Sequence, residues 1–206
     1  MIIKVCGLKF KQNVLDISAL DINMVGYNFY ASSQRYVESP LPEIPTNIKK
    51  VGVFVNTTID DIKHKTIFYK LDFAQLHGDE DVSYVVEIKK FIPVIKVFRI
   101  DENFDPKVLN TFEFCDFFLF DTATKQFGGS GSKFDWTILN TYDIQVPFLL
   151  SGGIGPEDLG GIKNIRHPKL VGVDINSKFE ISPGLKDVEK VKSFVDDMKI
   201  YQHKIK

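Results

Sequence analysis

Eight short apolar runs, recurring at intervals of about 20–30 residues, constrain this chain more than any other feature of its sequence. They are Ile2–Cys6, Met24–Phe29, Val51–Val55, Phe73–His77, Val94–Phe98, Phe117–Asp121, Pro147–Leu150 and Leu170–Asp174. All are rich in Val, Ile and Phe, and they lack the long polar alternation of an open antiparallel sheet. Helical patterns lie between them. Val188, Val191, Phe194, Val195 and Met198 make an apolar stripe at three- and four-residue spacing, and Val85, Ile88 and Phe91 do the same within Glu80–Phe91. Strands alternating with helices imply a β/α barrel or a doubly wound sheet.

Two connections break the pattern. Ser39–Asn47 holds Pro40, Pro42 and Pro45, which exclude a regular helix, so the second connection is expected to be irregular. Gly160 and Gly161 in the Pro156–Pro168 segment predict a shortened seventh helix. Strand-like runs resume on both sides of each break, so residues 1–206 read as one domain. Ile200–Lys206 is polar and expected to fray.

A formal net charge of −1 gives no electrostatic footprint for nucleic acid or an anionic membrane. An anionic ligand must therefore be held by single arginines and by backbone N–H groups. No apolar run approaches the ~18 residues of a membrane helix, and the opening MIIKVCGLK lacks a signal peptide's hydrophobic stretch, so a cytoplasmic location is expected. Cys6 and Cys115 belong to no metal-spaced cluster. One ends a strand and the other precedes one, which separates them by roughly 15–20 Å at ~3.3 Å per strand residue. A disulfide needs Cα atoms within about 7 Å, so Cys6 is a free thiol.

In a parallel barrel the reactive groups sit where strands pass into helices. Those ends carry Cys6-Gly7, Phe29-Tyr30 followed by Arg35, His77-Gly78, Asp121-Thr122, Ser151-Gly152-Gly153, and Asp174 to Ser177. A thiol, a carboxylate, a guanidinium and two backbone-exposing loops converge on one face. His77 shares strand parity with Gln75 and reads as a hydrogen-bonding wall. His64, His167 and His203 form no constellation and read as surface residues.

KVCGLK at Lys4–Lys9, VGVFVN at Val51–Asn56, QLHG at Gln75–Gly78 and FDT at Phe120–Thr122 resemble, in order, motifs of the phosphoribosylanthranilate isomerase family. So do GGSG-x-x-FDW at Gly128–Trp136, LSGGI-x-P at Leu150–Pro156 and PG-x-KD at Pro183–Asp187. The resemblance implies an eight-stranded β/α barrel and a cofactor-free Amadori rearrangement in tryptophan biosynthesis, with a phosphosugar–anthranilate substrate and a monomeric or homodimeric enzyme. Cys6 becomes the general base, provided its surroundings lower the thiol toward working pH. Lys4, on the same strand face, either favours that thiolate or pairs with Asp174. Asp121 becomes the general acid, kept protonated by an apolar strand end. Arg35 holds the anthranilate carboxylate. The phosphate falls between Gly152-Gly153 and the Asp174-Ile175-Asn176-Ser177 segment.

The chain departs from the family at Gln34, where a proline is usual, and at Lys178, where a glycine is. The Gly128–Gly131 loop is expected to close over the aromatic ring, and Phe134-Asp135-Trp136 to start the sixth helix with Asp135 as its cap. A related histidine-pathway isomerase carries an aspartate at the first-strand position, where this chain has Cys6. No dinucleotide fingerprint or metal-ligand cluster is visible, so neither a cofactor nor a metal is expected.

Overall fold

A computed structural model describes residues 1–123 and 133–203. Eight parallel strands close into a barrel in sequence order. They are β1 (Ile2–Val5), β2 (Met24–Asn28), β3 (Lys49–Phe54), β4 (Phe73–Leu76), β5 (Val94–Ile100), β6 (Phe117–Thr122), β7 (Phe148–Leu150) and β8 (Leu170–Ile175). Each lies within two residues of its predicted apolar run at either end. β1 pairs with both β2 and β8, which leaves the barrel sheet without an edge. The barrel, rather than the doubly wound sheet, is the fold.

Side-chain alternation separates two cores. Val5, Val25, Tyr27, Phe54, Leu76, Phe118, Phe120 and Leu150 point outward into the layer shared with the helices. Met24, Val51, Ile95, Leu119 and Leu149 point inward and fill the lower barrel. On β1, β4, β6 and β8 the same inward parity turns polar further along the strand, giving Lys4, Gln75, Asp121 and Asp174. The barrel is therefore an apolar plug below and a polar mouth above.

The helices are α1 (Lys11–Ser18), α2 (Ile59–Tyr69), α3 (Val82–Lys89), α4 (Leu159–Lys163) and α5 (Val188–His203). Thr58 Oγ1 accepts from Asp61 N at the start of α2, and Asp81 Oδ1 accepts from Tyr84 N at the start of α3. Asp187 Oδ1 does the same for Lys190 N, which explains the last motif's aspartate. The second connection has no helix, as its prolines require, and α4 is one short turn preceded by a 3₁₀ turn.

Three expectations need correction. The fifth and sixth connections are 3₁₀ segments, Pro106–Phe112 and Trp136–Thr141, not α-helices. Asp135 does cap the second of them, accepting from Thr137 N at 3.0 Å. The C-terminal helix continues to His203, because Val191, Phe194, Val195 and Met198 anchor it to the core. His167 is half-buried: its Nε2 faces Tyr142 O at 3.2 Å and its Nδ1 accepts from Lys169 N. After β8 the chain adds a two-stranded antiparallel ribbon that the strand pattern did not reveal, β9 (Glu180–Ser182) and β10 (Leu185–Lys186). Its turn signal was Pro183-Gly184. No described helix is long and apolar enough to cross a membrane.

The barrel seam carries a buried ion pair. Lys4 and Asp174 are register partners across β1 and β8, with Nζ and Oδ1 2.8 Å apart. Lys4→Met leaves Asp174 buried without its cation and should cost about 3–5 kcal/mol in urea unfolding. Lys4→Met combined with Asp174→Asn should lose less than Lys4→Met alone. An equal or larger loss in the double variant would mean that the pair does not carry the effect.

Candidate active site

A cavity opens at the C-terminal ends of the strands, and Cys6, Arg35, His77, Asp121, Gly152, Gly153, Asp174, Asn176 and Ser177 all line it. Cys6, Asp121, His77 and Asp174 arrive on strands β1, β6, β4 and β8 or one step beyond. Arg35 comes from the second connection, Gly152 and Gly153 follow β7, and Asn176 and Ser177 follow β8. The Gly128–Gly131 loop lies outside the described residues.

Cys6 continues the first strand by donating its N–H to Ile175 O at 2.9 Å. Its side chain occupies space left by Gly26 on β2, where a Cβ would come within 2.7 Å of Sγ. Burial pushes the thiol above its ordinary range, while the charges of Lys4 and Lys186 pull it back. Burial, joined by the Asp174 carboxylate, outweighs the two cations, so the thiol stands above its ordinary range and the expected lowering is not met. Burial also works to lower Lys4, but Asp174 and Cys6 outweigh it and hold its ammonium above the ordinary value. Both alternatives for Lys4 thus operate at once: it pairs with Asp174 and acts on Cys6. Cys115 is a buried thiol pushed up to about 12 by desolvation. Neither cysteine is bridged.

Asp121 is not isolated in apolar surroundings. Its Oδ2 lies 3.3 Å from His77 Nε2, and its Oδ1 accepts from Thr122 N at 2.8 Å. His77 Nδ1 in turn faces Gln75 Nε2 at 3.4 Å. The loop after β4 is held from behind by Glu80, whose carboxylate accepts from Asn56 N, Gly78 N and Lys96 Nζ. Lys96 also donates to Gly78 O and is buried on the outer face of β5. This clasp fixes His77 and was invisible in the sequence, because Lys96 sits in an ordinary apolar strand.

Gly152 and Gly153 both have left-handed backbones, φ 86° and 70°. A Cβ on Gly152 would also fall 2.5 Å from Thr122 Oγ1, so only glycine fits against β6. Lys178 is exposed, and its φ is not in the left-handed region, so a lysine enters that position without strain. Gln34 is exposed and its carbonyl faces Lys9 Nζ at 3.5 Å.

Arg35 is not solvated. Its Nε and one Nη donate to the two oxygens of Glu180 at 2.9 and 2.6 Å, a bidentate pair. Glu180 also accepts from Lys186 Nζ at 2.7 Å and Gly184 N at 3.0 Å. Burial works to raise Glu180, yet these donors hold it below the usual carboxylate range. Sequence reasoning missed Glu180 and Lys186 as parts of the site. The PG-x-KD segment was the available signal, since a lysine between a turn and a helix cap has little reason to be buried.

Fold and site together define a β/α-barrel enzyme whose mouth combines a thiol, a carboxyl–imidazole pair and backbone-exposing glycine turns. A model of the family N-(5'-phosphoribosyl)anthranilate (PRA) isomerase matches residues 3–197. The chain belongs to that family and is an isomerase. It is similar to the N-(5'-phosphoribosyl)anthranilate isomerase of Parabacteroides distasonis, at 46% identity over 96% of this chain and 93% of the relative. The crystal structure of the Thermotoga maritima phosphoribosyl anthranilate isomerase superposes with a TM-score of 0.85, at 32% identity and covering 97% of this chain and 99% of that one. A phosphoribosyl anthranilate isomerase in complex with reduced 1-(o-carboxyphenylamino)-1-deoxyribulose 5-phosphate superposes with a TM-score of 0.82, at 30% identity over 97% and 99% of the two chains.

Gly26→Ala puts a methyl group against Sγ of Cys6 and should destabilise the fold by about 1–3 kcal/mol through overpacking. Urea unfolding measures this. A variant as stable as the parent would show that the thiol is free to move away.

Proposed function

We propose that this chain converts N-(5'-phosphoribosyl)anthranilate to 1-(2-carboxyphenylamino)-1-deoxyribulose 5-phosphate in tryptophan biosynthesis, in the cytoplasm and without metal or cofactor. The reaction is an internal redox exchange between C1 and C2 of one sugar, an aldose–ketose isomerisation, so it needs no outside oxidant. Asp121 protonates the furanose ring oxygen and the ring opens to a protonated Schiff base. The Cys6 thiolate takes the proton from C2, and the C–H electron pair becomes the C1=C2 bond of an enolamine. Tautomerisation then gives the ketose. His77 keeps the Asp121 carboxyl in place against the ring oxygen.

The observation that carries this reading is that Cys6 and Asp121 line the same cavity, on opposite arcs of the strand order. Arg35 supports it further. Glu180 occupies Nε and one Nη, and the remaining Nη is the donor for the anthranilate carboxylate. The left-handed Gly152-Gly153 turn and the Asn176-Ser177 segment supply N–H groups for the phosphate. Substrate capture then needs no net positive charge on the protein.

Purified protein should consume freshly generated phosphoribosylanthranilate, followed by its fluorescence, equally well with and without EDTA. Cys6→Ala and Asp121→Asn should each lower kcat by about 10²–10⁴ and leave affinity for a product analogue nearly unchanged. If Cys6→Ala keeps more than about a tenth of parental turnover, well above that range, Cys6 is not the base. Turnover that vanishes with EDTA and returns with a divalent ion would overturn the mechanism.

A further inference from the structure

The buried lysine of the terminal ribbon has no place in the reaction as described. Lys186 is fully enclosed, and its backbone is locked to α1: Asn13 accepts its N–H at 2.7 Å and donates to its carbonyl at 2.9 Å. Its ammonium donates to Glu180 Oε1 and to Asn176 Oδ1, both at 2.7 Å. The Asn176 oxygen in turn reaches within 2.7 Å of where a side chain on Gly7 would stand, beside Cys6. Asn176 thus links the Lys186 ammonium to the strand end that carries Cys6.

Charge balance shows why this matters. The charged groups around Cys6 include Lys4 and Asp174 at the seam, Lys186 on the ribbon and Arg35 on the second connection, and the Asp121–His77 pair lines the same cavity. Lys4 has Asp174 to itself, but Lys186 and Arg35 share the single carboxylate of Glu180. With Asp121 as the protonated acid of the proposed reaction, three cations thus face two carboxylates. A buried excess charge is costly unless a counter-ion answers it, and burial holds Lys186 down at about 8. Ionisation of Cys6 supplies the missing negative charge.

We propose that Lys186 is a positioning residue for the proton transfer at Cys6: held by Glu180 and Asn176, its ammonium is the counter-ion of the thiolate. It touches no reacting atom and acts through Cys6, so this inference rests on Cys6 being the base. Without Lys186 the remaining cations are each matched by a carboxylate, and the thiolate has no cation of its own.

The test is the pH dependence of Cys6 alkylation by iodoacetamide, located on the Cys6 peptide by mass spectrometry, beside the pH–kcat profile. Lys186→Met should raise the Cys6 midpoint by about one unit or more, a tenfold loss of thiolate at a given pH below it. The acid limb of kcat should move up by the same amount, so that higher pH restores turnover. Lys186→Arg should keep both midpoints within about half a unit of the parent. A folded Lys186→Met protein with an unmoved Cys6 midpoint overturns the proposal. If Lys186→Met does not fold, a folded Lys186→Arg protein with a midpoint raised by a full unit overturns it as well. Cys6→Ala separates the two readings. If it stays active, the assignment of Cys6 falls and this inference with it. If it is inactive while Lys186→Met titrates like the parent, only the assignment of Lys186 falls.

Discussion

The Lys4–Asp174 pair joins the closure of the barrel to its chemistry. The two residues stand opposite each other across the seam where the first and last strands meet. A slip of one residue would set Lys4 against Val173 or Ile175 and turn its ammonium toward apolar side chains. Replacing such a pair by apolar residues is often harmless, whereas breaking it costs several kcal/mol. The pair therefore acts as a register lock more than as a source of stability. The same register sets Cys6 one step above Lys4 and brings Asp174 to the cavity floor, so the site inherits its geometry from the seam.

Two further ion clusters tie catalytic-face loops to the frame. Glu80 and Lys96 hold the turn that carries His77, and Glu180 with Lys186 holds Arg35 and Asn176. Hydrophobic packing by itself is non-directional. Charge-assisted hydrogen bonds fix direction, which a guanidinium or an imidazole needs if it is to meet a ligand at a set angle. The ribbon β9–β10 is the clearest case. It contributes little to the barrel core, yet it delivers the one buried lysine that Glu180 shares with Arg35.

Much of the fold was legible because strands announce themselves locally. Branched and aromatic residues in short runs gave all eight, and strand parity separated Lys4 and Cys6 from Ile3 and Val5 without any knowledge of partners. The proline-rich second connection and the glycine-weakened seventh helix were legible for the same local reason. The 3₁₀ segments were not, since Val108 and Leu109, or Ile138 and Leu139, fit a tight turn as well as an α-helix. His167 looked like a surface residue because nothing nearby in sequence reveals Tyr142 O or the Phe148 ring 5.4 Å away.

The sequence by itself determined which residues lie at strand ends and which way each points, since the twofold period of a strand is a local property. It thereby determined that Cys6, His77, Asp121 and Asp174 share one face. Tertiary structure alone decided who meets whom: Lys4 with Asp174, His77 with Asp121, and Arg35 with Glu180 in place of water. Those pairings depend on the number of strands, their stagger and the path of the last ribbon, all of which are fixed only when the barrel closes. The setting of Cys6 depends on them too, because burial and the charges of Lys4, Asp174 and Lys186 all act on one sulfur.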